Sequence, residues 1–206
     1  MKHFVVYNDL HLYSTYPLRD FSLSLLGPSF QQANVVLLGD IIDMKNCLNS
    51  ELVCATRFKE CLDRIYGIRY LKGNHELEES KEWCDRGVLF SHGDRFIWPE
   101  WMCRLVKKTW SPGMSLLHSY FSFDRWFGSW FWDYKLTSTM LDRIVAAAHQ
   151  AQCKTVILGH VHPHKNRHYF YKGVNVYVLT RGKHQITVLD DSTACIQDIK
   201  ASEAVC

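Results

Sequence analysis

Five short polar clusters stand where apolar runs of this chain end: Asp9-Leu10-His11, Gly39-Asp40-Ile41-Ile42-Asp43, Gly73-Asn74-His75-Glu76, His92-Gly93-Asp94 and Gly159-His160-Val161-His162. Each places carboxylate, imidazole or amide groups at the end of a strand-like segment. Asp9 and His11 are two apart, so a slight bend points both at one cation. Gly39 has no Cβ and permits a tight exit before Asp40, whose two oxygens can each meet a different cation. Asn74 offers an amide oxygen, and His92, His160 and His162 offer imidazole nitrogens. A mixed oxygen and nitrogen set without thiolates suits Mn²⁺, Fe²⁺ or Zn²⁺ better than Ca²⁺. Two such ions about 3.5–4 Å apart activate a bridging hydroxide and bind phosphoryl oxygens.

The elements that must position these groups are short and buried. Phe4 to Tyr7, Val35 to Leu38, Ile68 to Leu71, Val88 to Phe90 and Thr155 to Leu158 are β-branched or aliphatic runs that read as strands. Ser50 to Tyr66 has helical spacing at Leu52, Val53, Phe58, Leu62 and Ile65, with Ser50 as N-cap and Gly67 as terminator. Thr137 to Gln152 is a second helix, apolar at Met140, Leu141, Ile144, Val145 and Ala148. Val174 to Leu179 and Gln185 to Leu189 flank Arg181-Gly182-Lys183, which predicts a terminal β-hairpin. The tail from Asp191 is less patterned and is expected to fray. Strands alternating with helices predict an α/β fold with a sheet covered on both faces. Ligands of such sheets bind beyond the carboxyl ends of the strands, where all five clusters fall.

Composition narrows the function class. A chain of 206 residues is expected to form one domain with a sizeable core. Its 47% hydrophobic and 22% charged content is that of a soluble globular protein. The net charge of +3 gives no argument for a nucleic-acid partner, while leaving an anionic substrate open. No apolar run reaches the roughly 20 residues that span a bilayer. Met1 to Tyr7 meets Asn8-Asp9 too soon for a signal peptide, so a cytoplasmic protein is expected. The eight cysteines form no Cys-x-x-Cys pair, which fits reduced thiols.

The segment 95–135 stands out, with Trp98, Trp101, Trp110, Trp126, Trp130 and Trp132 making six of the chain's seven tryptophans. It falls between the fourth and fifth clusters, where a plain connection needs only a few residues. It reads as a helical insertion over the site. Its aromatics either form the core of a small subdomain or leave an apolar surface as a lid, a peripheral membrane contact or a dimer contact.

Asp-x-His, Gly-Asp-x-x-Asp, Gly-Asn-His-Glu, a lone His and Gly-His-x-His, in this order, resemble the calcineurin-like metallophosphoesterases. The resemblance covers roughly Phe4 to His162. It implies a metallophosphoesterase-type β-sandwich flanked by helices (αββα) as one domain over 1–206, the insertion 95–135 lying over the active site. It implies that Asp9, His11, Asp40 and His162 bind one divalent ion, Mn²⁺ before Fe²⁺ or Zn²⁺. Asp40, Asn74, His92 and His160 would bind a second, with Asp40 as the bridge. His75 would face the leaving group or the developing phosphoryl charge, and Asp43 and Glu76 would orient His75 and nearby ligands. A capping carboxylate explains Asp43 as well. The implied reaction is in-line attack by a metal-bridging hydroxide on a phosphate ester or pyrophosphate bond.

Within the family, an aromatic insertion at this place is similar to the UDP-diacylglucosamine pyrophosphatases, implying a nucleotide- or lipid-linked substrate. The chain departs from that group at His75, where Arg is usual. Protein Ser/Thr phosphatases share Gly-Asn-His-Glu, but Leu12 and Met44-Lys45 depart from their pattern. A nuclease lacks the support of a long basic stripe. An interaction scaffold that kept the fold and lost the chemistry is the non-enzyme alternative, although every ligand position is filled here.

Overall fold

The computed structural model describes residues 1–12, 34–44, 47, 52–64, 68–76, 82–97, 135–161, 163–189 and 193–199. Ten strands form two mixed sheets among them. The first sheet contains β1 (Lys2–Asn8), β2 (Asn34–Leu37), β3 (Ile68–Tyr70), β9 (Gly182–Val188) and β10 (Ala194–Ile199), in the order β10-β9-β1-β2-β3. The second contains β4 (Glu82–Asp85), β5 (Val88–Ser91), β6 (Thr155–Leu158), β7 (Arg167–Tyr171) and β8 (Val174–Val178), in the order β4-β5-β6-β8-β7. Helices α1 (Leu52–Arg64), α2 (Asp94–Ile97) and α3 (Ser138–Gln150) flank them. Thr137 caps α3 by accepting from the Met140 N–H.

Hydrophobic patterning stacks these elements into the expected αββα layers. Phe4, Val6, Val36 and Ile186 of the first sheet meet Val88, Phe90 and Ile157 of the second in the inner core. Tyr7, Val35 and Leu37 face the other way and pack with Ala55 and Leu62 of α1. Leu89, Val156, Leu158 and Val176 turn outward against Leu141, Ile144 and Ala148 of α3. Alternate residues of one strand therefore serve two cores, as the period-2 pleat requires. Strands buried on both faces read as continuous apolar runs, which is why they were legible in the sequence.

The pairing sets where the polar clusters go. β1, β2 and β3 run parallel to one another, and so do β5, β6 and β8. The carboxyl ends of each set face one edge of its sheet. The two edges meet, since the His160 N–H after β6 donates to Asp9 Oδ2 after β1 at 3.0 Å, and His92 Nδ1 after β5 faces the Leu38 carbonyl after β2 at 3.1 Å.

Two expectations need correction. β8 and β9 do not form a hairpin, because β8 already has β6 and β7 on its two sides. β9 instead crosses to the first sheet and pairs antiparallel with β1 from Lys2↔Val188 to Asn8↔Gly182. Among the described residues the hairpins are β4–β5, β7–β8 and β9–β10. The first two turn through Arg86-Gly87 (φ 49° and 72°) and Lys172-Gly173 (φ 47° and 79°), the paired positive φ of a two-residue type I′ turn. Nor does the start of the tail fray, for Ala194–Ile199 is an edge strand on β9. Ser50, Gly67, His162 and 98–134 of the Trp-rich segment lie outside the described residues.

Candidate metal centre

Asp40 leaves β2 after Gly39 and is the hub of the site. Its Oδ2 lies 3.1 Å from His92 Nε2 and 3.9 Å from His75 Nε2. His92 Nε2 is also 3.1 Å from His160 Nδ1 and 3.2 Å from Asn74 Oδ1. Donor atoms from three residues on three separate segments, Asn74, His92 and His160, thus converge on one side of Asp40. On the other side, ligating atoms of His11, Asp40 and His75 lie within 4.8 Å of one another. His11 Nε2 is 4.0 Å from Asp9 Oδ1. The structure therefore gathers Asp9, His11, Asp40, Asn74, His75, His92 and His160 into one cluster.

Close backbone approach makes this density of ligands feasible. A Cβ on Gly39 would stand 2.6 Å from the His92 ring, and one on Gly73 would stand 2.3 Å from Asp40 Oδ1. Neither glycine position has room for a side chain. The non-glycine residues Asp9, His11, Asp40 and His160 hold φ of 52°, 49°, 49° and 69°. Left-handed backbone costs an L-residue roughly 1–2 kcal/mol, and such strain collects where function overrides it. These residues and this cradle fit a metal centre.

Asp43 and Glu76 divide the supporting work. Asp43 faces His75 Nδ1 at 2.8 Å and His11 Nδ1 at 3.4 Å, which leaves both Nε2 atoms turned to the centre. Glu76 accepts the backbone N–H groups of Asp40, Ile41, Ile42 and Gly73 at 2.6–3.1 Å, and the Tyr70 hydroxyl at 3.0 Å. It thereby holds the loop that carries Asp40. His92 Nδ1 faces the Leu38 carbonyl at 3.1 Å, which assigns its proton there and fixes the ring.

The electrostatics follow from burial and crowding. Burial would raise Asp40, but the imidazoles of His92 and His75 hold it well below the usual carboxylate range. Asp43 is held low against burial by His75 and His11. Burial opposes charge on His92, yet Asp40 beside it lifts its pKa well above the ordinary value. Burial and the charge on His92 push His160 down to about 4, so it is neutral. Burial and Asp40 push Glu76 up to about 7.

No protein-family model matches the chain, and no curated protein matches it significantly. Among solved structures, a Streptococcus pneumoniae protein described as a predicted phosphoesterase is 13% identical, covering 90% of this chain and 82% of its own, with a TM-score of 0.43. A cold-active protein-tyrosine phosphatase of a psychrophilic Shewanella is 17% identical, covering 96% of this chain and 81% of its own at 0.45. Vps29 of Chaetomium thermophilum is 10% identical, covering 96% and 92% at 0.44. At such identities and scores these neighbours say nothing of the reaction, which has to be read from the site.

Three supporting residues escaped the sequence reading. Arg181 follows β8 and donates from Nη2 to the Leu10 carbonyl at 2.7 Å. Asn8 donates from Nδ2 to the Thr180 carbonyl at 3.0 Å and packs under Gly159, where a Cβ would come within 2.0 Å of its Oδ1. Tyr70 meets Glu76 as above. Arg181 carried the same signal as the five clusters, a polar residue just beyond an apolar run, but the expected hairpin absorbed it into a turn. No helix among the described residues is long and apolar enough to cross a membrane.

Proposed function

We propose that this chain is a metal-dependent hydrolase of phosphate esters or pyrophosphate bonds with a dinuclear centre. The observation that supports it most is the convergence of Asn74 Oδ1, His92 Nε2 and His160 Nδ1 beside Asp40 Oδ2, with His11 and His75 across the same carboxylate. Asn74, His92, His160 and one oxygen of Asp40 would hold one ion; Asp9, His11, His162 and the other oxygen would hold the second. Mn²⁺ is the proposed occupant, with Fe²⁺ or Zn²⁺ as alternatives. Bound there, the ions supply Lewis-acid polarisation of the phosphoryl group and activation of a water.

The chain's own residues supply the rest. Asp43 holds His75 at Nδ1, so Nε2 is aimed where a phosphoryl group beside Asp40 would sit. There it neutralises charge on the phosphoryl oxygens or gives a proton to the departing oxygen. Asn74 donates from its amide nitrogen to a second phosphoryl oxygen. The proposed substrate is a small, nucleotide-linked or lipid-linked phosphate, and the Trp-rich segment 95–135 is proposed to meet its apolar part or a membrane surface.

The test is hydrolysis of bis-p-nitrophenyl phosphate and of UDP-diacylglucosamine by the chelated protein reloaded with Mn²⁺. Turnover that disappears in Asp40→Asn is expected. A protein that binds Mn²⁺ yet shows no Asp40-dependent turnover on any phosphate ester would overturn the reading in favour of a scaffold. Equal rates on both substrates, unaffected by Trp→Ala changes in 95–135, would remove the lipid-linked part alone.

A further inference from the structure

Arg181 lies beyond β8, 171 residues from Leu10 of the Asp9-Leu10-His11 cluster, and donates a short hydrogen bond to the Leu10 carbonyl. That carbonyl sits between two residues in left-handed backbone, Asp9 at φ 52° and His11 at φ 49°. The N–H side of the segment is held by the β2 exit: Asp9 N–H donates to Gly39 O at 3.2 Å, His11 N–H to Asp40 O at 2.9 Å and Leu12 N–H to Ile41 O at 2.8 Å. Arg181 clamps its other side. The guanidinium is largely buried, which lowers its pKa, while the charges of Asp9 and Asp43 favour its charged form.

The base of Arg181 is itself anchored. The preceding Thr180 carbonyl faces both Asn8 Nδ2 at 3.0 Å and His184 Nε2 at 2.9 Å, and the Thr180 N–H donates to Asn166 Oδ1 at 2.7 Å. Residues from β1, β9 and the loop after Gly159-His160 thus fix the point from which the guanidinium projects. A planar donor on a fixed base can hold a strained carbonyl with little loss of rotamer freedom.

We propose that Arg181 is a positioning residue that clamps the strained Asp9-Leu10-His11 segment and thereby sets the affinity of the ion bound by Asp9 and His11. This rests on the dinuclear reading above. The guanidinium acts through the backbone and touches neither ion nor substrate. Its loss lets Asp9 and His11 relax toward ordinary backbone, which draws both side chains away from Asp40, while Asn74, His92 and His160 keep their places.

The experiment is Mn²⁺ titration of the chelated full chain, wild type against Arg181→Ala and Arg181→Lys, by calorimetry and electron paramagnetic resonance. Wild type is expected to take two ions. Arg181→Ala should bind one of them about 10- to 100-fold more weakly, as outer-shell changes do, with the other unchanged. The weakly coupled two-ion spectrum should be lost at limiting Mn²⁺ and return with added guanidinium. Arg181→Lys should fall between them, and it keeps the test open if the alanine variant does not fold. Two unchanged affinities, or equal weakening of both without guanidinium rescue, would overturn the clamp. If wild type itself takes up no Mn²⁺, the metal-centre reading fails first and the clamp with it.

Discussion

Asp43 carries more of the site than its place directly after the short apolar step Ile41-Ile42 suggests. One carboxylate, buried and held in its charged form by the imidazoles, faces Nδ1 of both His75 and His11. Asp43→Asn keeps the shape and removes the charge that orients His75. We expect kcat to fall about 10²- to 10⁴-fold, the range for a disabled acid–base group, with KM and Mn²⁺ content little changed; steady-state kinetics and metal analysis check this. Loss of the ion held by Asp9 and His11 instead, with the other retained, would mean that Asp43 serves chiefly His11. A contrasting case is Gly73, where a Cβ would meet Asp40 Oδ1 at 2.3 Å and His92 Cδ2 at 2.7 Å. Gly73→Ala must push Asp40 and His92 aside together, so metal affinity should fall about 10- to 100-fold. A Mn²⁺ titration matching wild type would contradict it.

The elements supply the fixed points from which these residues project, and their stability can be probed without touching the centre. Gly173 closes the β7–β8 turn at φ 79°, and a Cβ there would meet nothing within 4 Å, so Gly173→Ala suffers only the conformational penalty. We expect a loss of about 1–2 kcal/mol in denaturant unfolding, with Mn²⁺ affinity unchanged. A changed metal affinity would show that β8 transmits strain to Thr180 and Arg181. Of the strands read from sequence, β1, β2, β5 and β6 are buried on both faces along their central runs and are therefore apolar there, while β3, β8 and β9 were read from their β-branched and aliphatic residues although they are only partly buried. β4, β7 and β10 escaped because edge strands expose alternate residues and need no apolar run, as in Arg-His-Tyr-Phe-Tyr of β7. The five clusters were legible for a related reason: four mark the carboxyl ends of β1, β2, β5 and β6, and the third follows the aliphatic end of β3. The roles of Arg181 and Asn8 were not, since they come from backbone partners 171 and 172 residues away; the end of an apolar run marks Arg181's place but not its partner.

At the scale of the whole molecule, metal, protons and stability are linked through the same buried groups. In the metal-free protein Asp40 beside His92 raises its pKa and favours the charged imidazolium, against the opposing effect of burial. That stabilisation is complete below the unfolded histidine value of 6.5 and is lost as pH rises through the higher folded value. Glu76 acts in the same direction. Its pKa rises from 4.5 to about 7, so the folded state binds its proton more tightly and stability falls as pH climbs through that interval. Asp40 and Asp43, held low, contribute above their unfolded value of 3.8 and lose that contribution only as pH falls through their lowered folded values. The metal-free protein should therefore be more stable near about pH 6 than near about pH 8.5. A ligating imidazole must be neutral, so ion uptake has to expel the His92 proton. Mn²⁺ affinity should strengthen with pH across that range, and calorimetry in buffers of different ionisation enthalpy should record proton release. Stabilisation by Mn²⁺ should likewise be larger at the alkaline end, since it replaces the attraction that His92 has lost. Thermal unfolding at both pH values, with Mn²⁺ and with chelator, measures all of this. Proton uptake on binding, or a metal-free protein more stable at the alkaline end, would contradict a charged His92 facing Asp40.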